Sequence, residues 1–161
     1  MEIQVYTDGA CSRNPGPGGY AFVILVPNQE PIRFSGYKAK STNNEMELYA
    51  IVRALNYLSK NVVYAKHLDK VKLFSDSAYC INPINQGWLY TWAKYNWLSK
   101  QGEEIKNKAL WQCLYKLLSE LNVEISFVKV KGHSGNEYNE LVDRAAKNAI
   151  KRNLNTNAGI K

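Results

Sequence analysis

No stretch of this chain stays apolar for long. The longest run, YAFVILV from Tyr20 to Val26, is far short of the roughly 20 residues that span a bilayer, so a membrane span is excluded and no membrane partner is expected. Cysteine is scarce. Cys11, Cys80 and Cys113 lie far apart with no C-x-x-C spacing, which speaks against a zinc ribbon and against a disulfide framework. The N-terminus opens directly on a strand-like segment, without the basic, apolar and small-residue order of a leader; a cytoplasmic location is the expectation. The pattern G-x-x-x-x-G-K-[ST] is missing too, so the glycine-rich stretch after Asp8 is not a nucleoside-triphosphate cradle. No small-molecule cofactor is expected.

What is present is ordinary globular material. The chain has 161 residues, 45% of them hydrophobic and 22% charged, enough for one domain with a core that needs no staples. Its net charge is +7, and the surplus is uneven. Lys and Arg exceed Asp and Glu by one in each of residues 1–40, 41–87 and 88–128, but by four in 129–161. A diffuse charge with a basic C-terminal segment modestly favours an anionic partner such as nucleic acid.

Periodicity gives the order of elements. IQVYTD alternates and ends in Asp8, GGYAFVILV reads as a buried strand, and PIRFSGYKA as a third, so the first forty residues form a meander. From Thr42 the spacing of Leu48, Ile51, Val52, Leu55 and Leu58 is helical, with Thr42 and Asn43 as candidate N-caps. VKLFSD is a short strand that again ends in an acid. Residues 77–98 read as short helices broken near Pro83 and Gly87. Leu110, Leu114, Leu117, Leu118 and Leu121 mark an amphipathic helix, VEISFVKV a last strand, and Leu141, Ala145, Ala149 and Ile150 the stripe of a final helix. The order βββαβααβα requires crossovers and hence parallel pairing in part of the sheet. The expected fold is α/β, a mixed five-stranded sheet with an antiparallel meander, strands 1, 4 and 5 parallel, and helices on both faces. A single domain is expected over residues 1–152, with a flexible tail over 153–161.

Acids stand where this topology puts ligands. Asp8 and Asp76 end the first and fourth strands, and neighbouring parallel strands would aim both carboxylates into one crevice. Each alone is an ordinary strand-end residue; two in matching positions are a candidate site. Glu47 lies at the edge of the apolar face of its helix, whereas Glu45 points about 160° away at roughly 100° per residue and suits the solvent side. Asp143, one helical turn before Lys147, reads from spacing alone as a salt-bridged surface acid. Clustered carboxylates without His or Cys suit Mg²⁺ or Mn²⁺ rather than zinc. Two such ions about 3.5–4 Å apart serve phosphoryl transfer.

Four segments then carry a resemblance. TDGACSRNPGPGG (Thr7 to Gly19), TNNEMEL (Thr42 to Leu48), SDS (Ser75 to Ser77) and KGHSGNEYNELVDRAA (Lys131 to Ala146) are similar, in order, to the signature segments of ribonuclease H type 1, the ribonuclease HI family. The similarity runs from Ile3 to about Ile150. It implies the ribonuclease H-like fold and endonucleolytic hydrolysis of the RNA strand of RNA/DNA hybrids by a monomer with two divalent ions, leaving 5′-phosphate and 3′-hydroxyl ends. On matching positions it implies Asp8, Glu47, Asp76 and Asp143 as metal-binding acids and His133 as a mobile catalytic histidine. It implies Cys11 through its backbone, Asn14, Thr42, Asn43, Asn44, Trp88 and Asn139 as nucleic-acid contacts, Asn139 near the metals. Short amides suit 2′-hydroxyls in a wide, shallow minor groove.

The segment Trp88 to Lys100 resembles the family's basic protrusion, but Glu103 and Glu104 offset Lys106 and Lys108. Trp88, Trp92 and Tyr95 fall at i, i+4 and i+7, a stripe that serves equally as core or as a base-stacking surface. Ala78 stands where relatives often have a glutamine. The alternatives carried are a non-catalytic nucleic-acid-binding module and a DNA-acting nuclease of the same fold.

Overall fold

Strand-forming residues punctuated by turns fold here into three consecutive antiparallel strands, and helical periodicity takes over at Thr42. The computed structural model describes residues 1–61, 68–132 and 135–160, with 155–160 described by backbone alone. The meander comprises β1 (Glu2–Cys11), β2 (Gly16–Leu25) and β3 (Ile32–Ser41). There follow α1 (Asn43–Asn61), β4 (Lys70–Ser75), α2 (Ala78–Asn85), α3 (Trp88–Lys94), α4 (Lys108–Glu120), β5 (Glu124–Lys129) and α5 (Glu137–Ile160). The sheet order is β3-β2-β1-β4-β5, with β4 parallel to both β1 and β5. This is the mixed α/β architecture that the element order implies. Among the described residues, no helix is long and apolar enough to cross a membrane.

The two faces of the sheet are covered unequally. Ile3, Val5, Phe22, Ile24 and Leu73 point to one face, where they meet α1 to α4 through Leu48, Leu55, Ile81, Leu89, Trp111 and Leu114 in the large core. On the other face α5 alone packs Val142 and Ala146 against Tyr6, Ala21 and Val23. Its buried stripe is therefore Val142, Ala146, Ala149 and Ile150, while Leu141 and Ala145 are only half-buried. The crossing of α5 over β2 sets that register, because the helix backbone at Ala146 lies where a side chain at residue 19 would go, and only glycine fits there.

Two expectations need correction. Asp8 does not end its strand: β1 continues to Cys11, paired with β2 as far as Cys11 opposite Gly18, and the reversal occupies only residues 12–15. The glycines are mostly strand residues. Gly9 sits beneath α1, whose backbone at Met46 and Glu47 would collide with any Cβ. The break between the short helices falls at Gly87, with φ of 80°, while Pro83 stays inside α2 in the buried core. α5 is assigned as helix to Ile160.

Candidate active site

The site arises where β1 outruns its parallel neighbour. The last pairing between β1 and β4 is Tyr6 with Phe74, and the next side chains along the two strands include Asp8 and Asp76. Asp8 is 4% exposed. Its Oδ1 accepts a hydrogen bond from the Gly9 N–H at 2.9 Å, and the same N–H donates to Glu47 Oε1 at 2.6 Å. The absence of a side chain at residue 9 thus lets α1 approach closely enough to hand Glu47 to the end of the sheet.

Asp76 is fixed by the serines that flank it. Ser75 Oγ accepts from the Ser77 N–H at 3.1 Å, and Ser77 caps α2 by accepting from the Cys80 N–H at 3.2 Å. Val130 donates its N–H to the Ser75 carbonyl at 2.9 Å, tying the chain after β5 to the same place. Asp8, Glu47 and Asp76 each offer an oxygen within 4.8 Å of the others.

Such crowding shows in their proton affinity. Burial, joined by the charges of Asp76 and Asp143, pushes Asp8 from 3.8 up to about 6, although hydrogen bonds from Glu47 and the Gly9 N–H pull the other way. Glu47 is raised well above the usual carboxylate range, first by burial and then by Asp8 and Asp76. Like charges in a dry pocket resist joint ionisation, and a cation between them removes the conflict.

Asp143 is differently placed. It lies on α5 outside the 4.8 Å trio, though its charge reaches Asp8; its Oδ2 accepts from Lys147 Nζ at 3.2 Å and its side chain is 26% exposed. The surface salt bridge read from its spacing exists. Glu45 is outside the cluster, accepting from Ser41 Oγ at 2.5 Å and Lys38 Nζ at 2.7 Å; those partners lower its pKa against the upward effect of burial, the largest contribution. His133 lies outside the described residues.

The amides converge on a second place, the N-terminus of α1. Thr42 Oγ1 accepts from the Glu45 N–H at 3.1 Å as the helix cap, Asn14 Oδ1 accepts from the Asn43 N–H at 3.1 Å, and Asn43 Oδ1 accepts from the Cys11 N–H at 2.9 Å. The Cys11 N–H is therefore engaged by Asn43. Asn44 is exposed on the first turn of α1. Asn139, which spacing leaves free to be a solvated surface amide, is 3% exposed at the start of α5. Asn136 caps that helix, accepting from the N–H groups of Tyr138 and Asn139 at 3.0 Å each.

Trp88 and Tyr95 stand apart from both clusters, 45% and 59% exposed, on α3 and just beyond it. Trp92 instead packs edge-on to Trp111, with ring centroids 5.4 Å apart. The aromatic stripe divides between surface and core. Gly9, Ser75, Ser77 and Asn136, which set the geometry, carry no charge and follow no periodicity, and so escaped the sequence reading as site residues.

A five-stranded mixed sheet with carboxylates gathered where β1 passes β4, and a helix on the opposite face bringing a further acid, defines a nuclease domain of the ribonuclease H-like class. The family model described as RNase H matches residues 1–151, and the chain belongs to that family. It is 43% identical over 155 residues to the ribonuclease H of Thermoanaerobacter sp. (strain X514), covering 96% of this chain and 94% of that one. The ribonuclease H of Chlorobaculum parvum is 44% identical over 149 residues, covering 92% of this chain and 95% of the relative. Among solved structures, LC11-RNase H1 in complex with an RNA/DNA hybrid superposes with a TM-score of 0.73 at 25% identity, over 94% of this chain and 99% of that one. A foamy viral protease-reverse transcriptase shares the fold, with a TM-score of 0.77 at 19% identity, over 91% of this chain and 20% of that one.

Proposed function

We propose that this enzyme hydrolyses the RNA strand of RNA/DNA hybrids, as a monomer, leaving 5′-phosphate and 3′-hydroxyl ends. The convergence of Asp8, Glu47 and Asp76 within 4.8 Å carries the reading. Two relatives named ribonuclease H and a neighbour bound to a hybrid support it.

The donor set fits a divalent cation: three carboxylates, two of them forced upward in pKa by burial and mutual repulsion, with oxygen as their only ligand atom. Asp8, Glu47 and Asp76 would hold Mg²⁺ or Mn²⁺, with Asp143 completing a second position once released from Lys147. Bound there, the metal supplies Lewis acidity for the phosphoryl oxygen and lowers the pKa of water.

The chain's own groups do the rest. Gly9 N–H holds the Asp8 and Glu47 carboxylates in one orientation before substrate arrives. Asn14 and Thr42 lie at the positive end of α1, where a backbone phosphate of the DNA strand is favoured. Asn43 and Asn44 would meet the 2′-hydroxyls that distinguish the RNA strand. Trp88 offers a stacking surface, and Asn139, at the start of α5, would contact the nucleic acid near the metals. In the hydrolysis, a water oxygen bonds to phosphorus, the bond to O3′ breaks, and the departing oxygen takes a proton. By its match to the family's KGHSGN segment, His133 would move that proton or help product leave.

The test is cleavage of a uniformly labelled hybrid with Mg²⁺, Mn²⁺ or EDTA, beside duplex RNA and duplex DNA. Metal-dependent cutting of the RNA strand of the hybrid alone is expected. Equal cutting of duplex DNA overturns the substrate reading, and full activity in EDTA overturns the metal reading.

A further inference from the structure

The surplus of positive charge in residues 129–161 has a place in the fold. On the flank of α5 away from the acids, β3 and the helix bound an open groove of about 650 Å³ lined by Arg33, Ser35, Arg144, Asn148, Lys151 and Arg152, with Phe22 and Leu141 in its apolar part. No acid lines it. Arg33, Arg144 and Lys151 are exposed, and among the described residues no salt bridge reaches any of them. Arg152 Nη2 donates to Ser35 Oγ at 3.2 Å, joining the two walls. Arg33, Arg144 and Lys151 along one open cleft make an attractive field for a polyanion rather than for a single small ion.

The sheet register locates this groove relative to the acids. Asp8 is opposite Ala21, and Ala21 is opposite Ser35. At about 4.8 Å per strand spacing, Ser35 lies roughly 10 Å from Asp8 across the sheet. The body of α5 stands between them, and its outer surface carries Lys147 and Arg144, both exposed. From Arg144 to Arg152 the helix rises about 12 Å, room for several phosphates of a strand carrying one charge per 3.4 Å or so of axis. The protrusion at Trp88 to Lys108 presents Lys94, Lys100, Lys106 and Lys108 diluted by Glu103 and Glu104. The denser cationic surface is the α5 flank.

We propose that this groove is a second docking track for the nucleic-acid backbone, which grips phosphates outside the cleaved segment of the hybrid. It supplements the weakly basic protrusion. Contacts of this kind position substrate without reading sequence, and their signature is salt dependence. The proposal rests on the hybrid reading above.

The experiment measures the dissociation constant of a fluorescent hybrid against salt concentration in EDTA, so that no cleavage intervenes. Arg33→Ala/Lys151→Ala is expected to make the slope of log K against log salt shallower by about two, one per lost phosphate contact. Arg33→Lys/Lys151→Arg keeps the charge and should keep the slope. Lys60→Ala/Lys116→Ala removes equal charge elsewhere and should leave the slope at its wild-type value. Melting temperatures of all variants check that the fold is retained. A wild-type chain that does not bind hybrid sinks the substrate reading and the groove together. Binding by wild type with an unaltered slope in the groove variant, or an equal change in the Lys60/Lys116 control, overturns the groove alone.

Discussion

The acids of this site are held in two different ways on its two flanks. On the β1 and α1 flank, Asp8 and Glu47 share one backbone donor, Gly9 N–H; Asp8 is buried and Glu47 half-buried. On the α5 flank, Asp143 is partly exposed and leans on Lys147, itself 54% exposed. The first arrangement is rigid and electrostatically unfavourable when empty of cation. The second is adjustable, because an exposed ion pair is worth only about 0–1 kcal/mol. A nuclease has use for both: fixed ligands that accept a cation without reorganisation, and one that can change partners as substrate arrives and product leaves.

Removing the rigid flank should have the greatest effect. Asp8→Asn is expected to lower kcat by at least about 10²- to 10³-fold, the scale seen when one partner of a developing charge is removed. Hybrid binding in EDTA should survive, since the phosphate contacts lie elsewhere. Turnover within a few-fold of wild type would show that the two flanks do not differ in the way described. Next comes the backbone that makes the flank rigid. Gly9→Ala drives a methyl group into α1 at Met46 and Glu47, an overpacking cost of about 1–3 kcal/mol. At about 2–4 °C per kcal/mol for a chain of this size, Tm should fall by several degrees, and activity should fall with it because Glu47 moves. An unchanged Tm means that α1 can retreat and the flank is not rigid.

The fold was largely legible because its period-two and helical segments are long and compatible with their burial. Leu48, Ile51, Val52, Leu55 and Leu58 are all buried, as their spacing requires. The glycine-rich stretch was not, because glycine has low strand propensity on its own, and only the approach of α1 and α5 to Gly9 and Gly19 explains why those residues belong in strands. Asp8 and Asp76 could be read from the first and fourth strands, although Asp8 lies inside β1 and not at its end, and Glu47 from its position on the helix face. Asp143 could not. Its local pattern predicts the ion pair it makes with Lys147, and the reach of its charge to Asp8 depends on how α5 crosses the sheet, a tertiary fact with no local signal. The split of Trp88, Trp92 and Tyr95 was illegible for the same reason: helical spacing does not say which side finds Trp111.

The strained charge on the rigid flank also predicts a pH effect. The folded-state pKa of Asp8 is about 6 against 3.8. A carboxyl raised on folding favours the native state only while protonated, so the penalty is absent below about pH 4, grows between 4 and 6, and is complete above. At 1.36 kcal/mol per unit the full penalty is of order 3 kcal/mol. In EDTA, Tm should therefore decline across that window more steeply in wild type than in Asp8→Asn, with the variant the more stable at pH 8. Saturating Mg²⁺ should raise the wild-type Tm more at pH 8 than at pH 5. Parallel pH profiles for the two proteins would mean that Asp8 is not strained.

The adjustable flank gives the smallest effect and the finest test. Lys147→Ala removes a cation that competes for Asp143 Oδ2 across 3.2 Å. If that pairing is the weak, exchangeable one, the Mg²⁺ concentration for half-maximal activity should fall, by no more than about five-fold given the 0–1 kcal/mol worth of an exposed pair. Tm in EDTA should change little. A larger shift, or one accompanied by a loss of stability, would place Asp143 and Lys147 with the rigid flank and erase the distinction; a rise in the Mg²⁺ requirement would mean that Lys147 presents Asp143 to the site instead of withholding it.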